Sequence, residues 1–531
     1  MSSRCSNCGG TLIYDIQLEK VRCEHCDSTF EPEKYKVETA ADEQEGNTYN
    51  TKEFTCPNCG AQISSTEFDA IDYCMYCASF VSLESQMKEV RMPDKILPFS
   101  KTKEDCKKAY KRAMIKKIYA PAEFRNESFI EGFKGVYVPF WKFNYSYGPE
   151  VILRGETTKQ KGDYLVTQHY ETKCKVSGEV SNSVYDASSN FDDEICPHIA
   201  PFPEDKLKDF NTSYMFGFYG DTADIDSQLY AEASDEEIKE KLWKDLSHQK
   251  SAGKGHFVSD KPKSIEKDLN LKKSSSLIMV PIWFLTWRKN DRLAYSIVNG
   301  ETGKVYTEVP VDMFRFILFT LLTAIPIHFF LNAAITFSAK DMLVNAMFLS
   351  ACMIIVYIVE LDKQVRRYMH ADDKGFLEKH QDIKKDTEDL VSKNLFSVLW
   401  EDIIGTIVEY KFYTLIIIAI AVVFFLEYVA IALCVAIIAI PLYSIYRLIK
   451  DASILDDMTV FVDVAGIAFS LIYSGILLFI DPAPDHFFYY ASMLSMVGIG
   501  FAAFRMVKRY NKLITRSLPH FFEKREGDNA S

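Results

Sequence analysis

Eight cysteines in the first 77 residues form four Cys-x2-Cys pairs, grouped in two blocks: Cys5, Cys8, Cys23 and Cys26, then Cys56, Cys59, Cys74 and Cys77. In both blocks, 14 residues separate the two pairs, and the blocks repeat at an interval of 51 residues. Two pairs of thiolates at such a spacing are typical of a tetrahedral structural zinc site. Because four protein ligands complete the coordination of zinc, we expect two structural Zn²⁺ sites without catalytic activity.

Three other uses of paired cysteines are less consistent with this pattern. The N-terminus lacks the apolar run of a secretory signal, so we expect it in the cytoplasm, where disulfides are rare. A redox Cys-x2-Cys needs no second pair at a fixed distance. A cross-braced RING interleaves its ligands and includes a histidine, whereas His25 lies inside a pair and is predicted to be a bystander. The sequence therefore favours two zinc ribbons.

The elements that would position these cysteines belong to a multi-domain chain with two small zinc ribbons, an α+β cytoplasmic domain and an α-helical membrane domain. We predict zinc ribbon 1 at 1–30, an acidic linker at 31–53, zinc ribbon 2 at 54–87 and the α+β domain at 88–311. Within that domain, GVYVPFW (135–141) and IMVPIW (278–283) are predicted edge strands or bulges, because proline has no N–H to pair. Asn299-Gly300 and Thr302-Gly303 predict the turn of a hairpin.

Apolar segments dominate the chain after Asp312 and predict a transmembrane domain of about six spans at 312–507. The segments are 314–331, 342–359, 412–446, 459–480 and 487–507. Segment 412–446 would be about 52 Å long as one helix, so we expect it to fold back at Glu427; its first half, 412–426, crosses the membrane or is re-entrant. Six spans leave a 362–411 loop and a 508–531 tail.

The distribution of cations predicts that the N- and C-termini, the 362–411 loop and the 508–531 tail are cytoplasmic. With six spans, eighteen Lys and Arg residues lie in loops on the N-terminal side and one, Lys340, on the other. Two further segments could contact lipid: a basic helix at Lys101–Lys117, whose alternative is a solvated face, and an interfacial helix at 390–410. Inside the predicted spans, His328, Glu427 and Asp463 are ionisable and so are functional candidates.

Several motifs together resemble a family of bacterial membrane proteins called TFIIB-type zinc-ribbon-containing proteins. They are the ribbon cysteines with Gly9, ILPF at 96–99, YAP at 119–121, GVYVPFW, VPIW and NGETGK at 299–304. The resemblance covers about residues 1–310. It implies a zinc-ribbon, α+β and transmembrane layout. It also implies PspA-like or SPFH-type membrane-stress proteins as partners, since some relatives are encoded beside them.

The composition and the motif search favour a binding protein over an enzyme. The sequence has no Walker, HExxH, GxSxG or GxGxxG motif, and Cys196 with His198 is better explained as two loop residues than as a nucleophile and base. The net charge of −12 argues against a nucleic-acid partner, and no small-molecule substrate is indicated. We predict a multi-pass membrane scaffold whose ribbons recruit protein partners in a membrane-stress response. The alternatives are a transporter or channel with a regulatory ribbon domain, and a membrane-anchored nucleic-acid-binding protein.

Overall fold

The computed structural model describes residues 4–35, 48–65, 74–79, 85–147, 150–161, 164–175, 178–191, 195–248, 272–334, 338–370 and 459–519. These residues form two compact units. Unit 1 contains the described residues up to Pro310 and again from Thr515. Unit 2 contains the described residues from Val311 to Ile514. In the described part of the chain, the polypeptide therefore leaves unit 1 after Pro310 and returns to it after the last helix of unit 2.

The first ribbon is a three-stranded antiparallel sheet of β1 (Leu12–Asp15), β2 (Lys20–Cys23) and β3 (Thr29–Phe30). Leu12 and Val21 are fully buried, as expected for strands that alternate inward and outward side chains. Its small core is completed by Phe216, which comes from much later in unit 1. The amide of Tyr14 donates to the carbonyl of Phe216 at 3.0 Å. Ribbon 1 is thus held on the surface of unit 1.

A 12-stranded sheet forms the body of unit 1. Its strands are β4 (Thr48–Thr55), β5 (Gln62–Ser65), β6 (Ser85–Arg91), β7 (Lys95–Ile96), β8 (Lys134–Tyr147), β11 (Gly178–Asp186), β12 (Lys208–Asp209), β13 (Tyr219–Asp221), β14 (Lys272–Lys289), β15 (Arg292–Asn299), β16 (Val305–Thr307) and β17 (Arg516–Ser517). Strands β9 (Glu150–Lys161) and β10 (Tyr164–Lys175) form a separate antiparallel pair. The predicted α+β character is confirmed, and the predicted hairpin at 299–304 joins β15 to β16.

The second ribbon is part of this sheet and not a separate module on a tether. Strand β4 begins at Thr48, inside the range predicted as linker, and pairs with both β5 and β6. Strand β13 pairs with β5 on one side and with β8 on the other. Ribbon 2 therefore continues into the centre of unit 1. The composition of 31–53 could not show that ribbon 2 belongs to the sheet, because β13, the strand that joins β5 to β8, lies about 155 residues after β5 in the chain.

The two Pro-x-Trp segments were predicted as edge strands or bulges, and the edge position is wrong. They lie in β8 and β14, two central strands that pair with each other over thirteen residue pairs. Each proline sits where the ladder to the outer neighbour ends: β11 pairs with β8 as far as Phe140, and β15 pairs with β14 as far as Ile282. The carbonyls of Pro139 and Pro281 still accept from Ala187 and Gly300 at 2.9 Å. A missing N–H is tolerated there because it lies just beyond the ladder.

The described residues of unit 1 include four α-helices, α1 (Lys103–Ile115), α2 (Glu127–Ile130), α3 (Cys196–Ile199) and α4 (Ala231–His248). Helix α1 occupies most of the predicted basic helix, and a capping box between Thr102 and Asp105 fixes its start. Part of its positive charge is paired inside the domain: Lys107 contacts Glu104 at 2.7 Å and Glu131 at 2.6 Å. These pairs reduce the charge that α1 offers to a lipid surface.

Unit 2 is helical in its described residues, with α5 (Met313–Ala334), α6 (Ala339–His370), α7 (Thr459–Ile480) and α8 (His486–Ile514). Two segments, Ala339–Leu361 and His486–Ile514, are long and apolar enough to cross a membrane, and Met313–Ile327 and Ala465–Ile480 are shorter apolar helices. The two predicted spans within 412–446, with Glu427 and the 390–410 helix, lie outside the described residues. Six spans therefore stay a prediction.

The helices of unit 2 are joined by a few polar contacts. Nη1 of Arg509 on α8 donates to the hydroxyl of Tyr357 on α6 at 2.6 Å. The side-chain amide of Asn511 both donates to and accepts from the backbone of Val311, at 2.7 Å in each case. The first residue of unit 2 is therefore fixed to its last described helix.

Candidate metal centres

The four cysteines of the first ribbon converge on one point. Their Sγ atoms all lie within 4.8 Å of one another. Two of the separations join one cysteine from each pair: 3.7 Å between the Sγ atoms of Cys5 and Cys26, and 3.5 Å between those of Cys8 and Cys23. Zinc–sulfur bonds of about 2.3 Å in a tetrahedron would place the sulfurs about 3.8 Å apart. The first group therefore has the dimensions of a four-thiolate metal site.

Tight turns of the backbone aim these sulfurs inward. Gly9 adopts a positive φ of 73°, which lets its amide donate to the carbonyl of Cys5 at 2.8 Å. Backbone amides then point at the sulfurs: those of Asn7, Gly10 and His25 donate to Cys5, Cys8 and Cys23, each at 3.4 Å. Such donors stabilise the negative charge of thiolates and fix their orientation.

The second group repeats this geometry 51 residues later. Its Sγ atoms also lie within 4.8 Å, with 3.7 Å between Cys56 and Cys77 and 3.8 Å between Cys59 and Cys74. The repeat extends to polar contacts outside the cysteines. Asn58 donates to the hydroxyl of Ser79 at 2.9 Å, as Asn7 donates to Ser28 at 3.0 Å. Each group uses both pairs of its own block, so the sites are not interleaved as in a RING.

The two groups differ sharply in their surroundings. All four cysteines of the second group are 0% exposed and belong to the main core of unit 1. In the first group, Cys5 and Cys23 are buried but Cys8 and Cys26 are exposed. The hairpin of β14 and β15 covers the second group: Arg288 donates to the carbonyl of Cys77 at 3.1 Å, and Tyr295 donates to the carbonyl of Tyr76 at 2.9 Å. Identical spacing thus produces one partly open and one closed site.

Tyr76, which lies between Cys74 and Cys77 of the second group, contacts a buried carboxylate that the sequence did not indicate. The hydroxyl of Tyr76 donates to Oδ2 of Asp221 at 2.5 Å. The same carboxylate accepts from Ser188, Asn190 and the amide of Thr222, so both of its oxygens are fully used. Burial raises the pKa of Asp221 to about 6, against the effect of these donors. Tyr76 and Asp221 are 145 residues apart, and no spacing rule could have joined them.

The thiol pKa values within each group are shifted in both directions. The amide of Gly10 lowers the pKa of Cys8, but hydrogen bonding with Cys26 and Cys23 raises it overall to about 12. Hydrogen bonding to Ser28 lowers the pKa of the Cys26 thiol to about 6. Hydrogen bonding with Cys59 lowers the pKa of the Cys56 thiol to about 7. A thiolate is the form that binds a metal ion, and each group holds at least one sulfur whose proton is readily lost.

The other candidate residues do not join these groups. His25 is exposed, and the first group consists of cysteines alone. His198 stacks on the ring of Tyr306 at 4.6 Å, while the side chain of Cys196 lies outside the described residues. His328 lies on α5 and Asp463 on α7, with side chains outside the described part of the chain. Among the described residues, the two cysteine groups are the clusters of acidic, histidine and cysteine side chains that could hold a metal ion.

Comparison with known proteins gives one informative similarity. The chain is similar to the uncharacterized protein YdjG of Bacillus subtilis (strain 168), with 25% identity over 322 residues. The aligned region covers 59% of this chain and 91% of YdjG. No family model matches the chain, and no solved structure matches it.

Proposed function

We propose that this protein is a membrane-anchored adaptor, in which unit 1 is a zinc-stabilised recruitment domain and unit 2 is the anchor. The observation that carries the proposal is the contrast between the two cysteine groups. Both have four protein ligands, so neither leaves a position for substrate. The second is enclosed by its own domain, whereas the first lies on a small sheet at the surface. Ribbon 1 is therefore the part of the pair that another protein could contact.

Zinc is the metal that the donor set supports best. Eight cysteines form two four-sulfur groups, in which sulfurs of opposite pairs lie 3.5–3.8 Å apart and all sulfurs lie within 4.8 Å. This donor set matches the preference of zinc for thiolates in tetrahedral structural sites. The ion in ribbon 1 would fix two turns that have little other support, since the core of this ribbon contains few apolar side chains. Zinc would supply no reaction here; it would hold the recruiting surface in shape.

For the anchor, we propose six spans with both termini in the cytoplasm. Two candidate spans and two shorter apolar helices in unit 2 support a membrane location. The excess of Lys and Arg on the N-terminal side supports the orientation, because such residues stay on the cytoplasmic side of short loops. Ribbon 1 would then face cytoplasmic partners, and PspA-like and SPFH-type proteins are the partners we propose to examine first.

Leu18 is the proposed contact point of ribbon 1. It lies in the turn between β1 and β2 and is 52% exposed. The turn is held in shape because Oδ1 of Asp15 accepts from the amides of Gln17 and Leu18, at 3.0 and 3.2 Å. An apolar side chain on a rigid turn loses little entropy when a partner covers it. Leu18 is thus suited to anchor a protein interface.

The test is crosslinking in native membranes followed by affinity purification of the full-length chain. Leu18→Glu should abolish the crosslinked partners while both metal ions are retained. The matched control is Ile115→Glu, which places the same charge at an exposed isoleucine (73%) on α1. Unchanged partners in Leu18→Glu, or equal losses in both variants, would refute the role of ribbon 1. Blotting the eluate for PspA-like and SPFH-type proteins tests the identity of the partner separately.

A further inference from the structure

We propose that Cys8 is a site of oxidation by peroxides, and that its oxidation opens the first metal centre while the second stays intact. The inference rests on the metal assignment made above and adds a regulatory property to the same ribbon. It starts from a comparison within one molecule, because the two centres share ligand spacing, turn geometry and outer hydrogen bonds. They differ in access to solvent, so access alone decides which one reacts.

Access favours the first centre. A peroxide must approach the sulfur it oxidises, and the four sulfurs of the second centre belong to residues that are 0% exposed. Cys8 and Cys26 are exposed. Of these, Cys26 is bonded to Ser28 at 3.2 Å, which occupies one approach to its sulfur. Cys8 has the amide of Gly10 at 3.4 Å and a buried neighbour, Cys23, at 3.5 Å. Both cysteines are thiolates when they bind the metal ion. Cys8 therefore combines an exposed position with a second thiolate, that of Cys23, close to its sulfur.

The reaction balances with hydrogen peroxide as the oxidant. The thiolate of Cys8 attacks one peroxide oxygen, the O–O bond breaks, and Cys8 becomes a sulfenic acid while hydroxide takes up a proton. The thiolate of Cys23 then attacks the sulfur of Cys8, forming the S–S bond and expelling hydroxide, which is also protonated. Two thiolates, one peroxide and two protons thus give one disulfide and two waters. Only Cys5 and Cys26 remain as ligands, which is too few to hold the ion.

Opening the first centre would also remove the recruiting surface. The core of ribbon 1 consists of the two buried cysteines, Leu12, Val21 and Phe216, with Phe30 and Tyr35 packed against them. Such a small core depends on its metal, so the turn that presents Leu18 would lose its shape. The second centre lies in a large apolar core and would keep unit 1 folded. Peroxide would then release partners without releasing the protein from the membrane.

The experiment uses the purified full-length protein and measures metal release with a chromogenic chelator during exposure to hydrogen peroxide. Metal is quantified before oxidation, so a content below two ions counts against the proposed function and not against this inference alone. We expect one ion to leave at least ~10-fold faster than the other. Peptide mapping at the half-way point should show a Cys8–Cys23 disulfide and reduced Cys56, Cys59, Cys74 and Cys77. Release of both ions together, or first from the second centre, would overturn the inference.

A ligand-preserving variant provides a second test. Cys8→His keeps a nitrogen ligand, and three cysteines with one histidine also form structural zinc sites. This variant should hold two ions and release the first at least ~10-fold more slowly than the wild type. Cys26→His is the matched control at the other exposed position and should leave the fast phase and the Cys8–Cys23 link in place. Fast release that persists in Cys8→His would exclude Cys8 as the reacting sulfur.

Discussion

Val138 and Val280 face each other across β8 and β14, at the centre of a local twofold arrangement. From this pair, Pro139 lies opposite Met279, and Pro281 lies opposite Tyr137. The Val-Pro-x-Trp sequence occurs in both strands, and both indoles donate to distant carbonyls: Trp141 to Ile225 at 2.8 Å and Trp283 to Lys101 at 2.9 Å. The repeated motif thus lies at the centre of the sheet, and its tryptophans hydrogen-bond to the segments around Ile225 and Lys101.

The two metal centres should contribute unequally to the stability of unit 1. We expect two zinc ions per chain in the wild type, and one ion in both Cys8→Ser and Cys59→Ser. Cys8→Ser should leave the protease resistance of residues 85–310 unchanged, because ribbon 1 lies at the surface. Cys59→Ser should destroy it, because Cys59 belongs to the main core. Metal analysis with limited proteolysis checks both effects, and equal sensitivity of the two variants would contradict the prediction.

This asymmetry also changes how the recruitment hypothesis can be tested. A variant that removes cysteines from both ribbons, such as Cys5, Cys8, Cys56 and Cys59 together, would disrupt the core of unit 1. It would then lose its partners because unit 1 unfolds, whether or not ribbon 1 recruits them. Surface changes on ribbon 1 avoid that ambiguity.

Asp221 should make the stability of unit 1 depend on pH. Its folded pKa is raised from 3.8 to about 6, so the stability that it contributes is fully present below pH 3.8 and is lost as pH rises through about 6. The full difference corresponds to about 3 kcal/mol. Asp221→Asn should remove this titration. It should also lower the stability at pH 8, because an amide cannot accept from all four donors.

Thermal unfolding of the detergent-solubilised protein at several pH values between about 5 and 8 measures this effect, with the wild-type and Asp221→Asn curves compared at each pH. We expect the difference between the two curves to change across about pH 6. A difference that is constant over the whole range would show that Asp221 does not titrate there.

Gly300 should not tolerate a side chain. A Cβ at this position would lie 2.5 Å from two ring atoms of Phe99 and 2.9 Å from Cβ of Pro281. Phe99 cannot move easily, because it is packed against Tyr137 and Phe218, at ring distances of 5.1 and 4.3 Å. Gly300→Ala should therefore lower the free energy of unfolding by about 1–3 kcal/mol.

The neighbouring exposed residue Thr302 provides the control for Gly300. Thr302→Ala lies in the same turn and should change the unfolding free energy by less than about 0.5 kcal/mol. Similar melting temperatures for Gly300→Ala and the wild type would mean that the turn can move away from Phe99.

The orientation of unit 2 can be checked by labelling a single introduced cysteine in intact cells. A probe in the 481–486 loop should react with a membrane-impermeant reagent added outside, because this loop contains no Lys or Arg. A probe in 508–519 should react only after the cells are opened. The reverse result would invert the proposed topology.

Arg516 should hold the end of the described chain on unit 1. Its Nη2 lies 2.7 Å from Oε1 of Glu308, which is 1% exposed, and its guanidinium lies over the ring of Tyr295 at 5.2 Å. Arg516→Ala leaves a buried carboxylate without this partner and should destabilise the region by roughly 2 kcal/mol or more. Ser517→Ala, in the same strand and exposed, should have little effect. Hydrogen exchange of the β15 amides reports the difference; equal protection in both variants would contradict it.

Local features of the sequence predicted much of what the structure shows. The eight cysteines, the hairpin at 299–304 and the basic helix α1 depend on short spacings or turn residues, and the structure contains each of them. The predicted edge position of the Pro-x-Trp strands was wrong. A proline removes one backbone hydrogen bond, but the sequence does not show which neighbouring strand would have accepted it. The burial of the second ribbon depends on β13, β14 and β15, which lie far along the chain. The identical Cys-x2-Cys spacing did not indicate that the second cysteine group would be buried and the first partly exposed.

Strand β17 can pair with β15 only late in the synthesis of the chain. It pairs with Arg292 and Leu293 at the start of β15, but it is encoded after the whole of unit 2. A ribosome that adds 5–20 residues per second needs roughly 10–50 s to travel from Leu293 to Arg516. Until then, the outer edge of β15 at Arg292 and Leu293 lacks its β17 partner. A chain that terminates before Arg516 would keep this edge of β15 without its β17 partner, and so open to proteases.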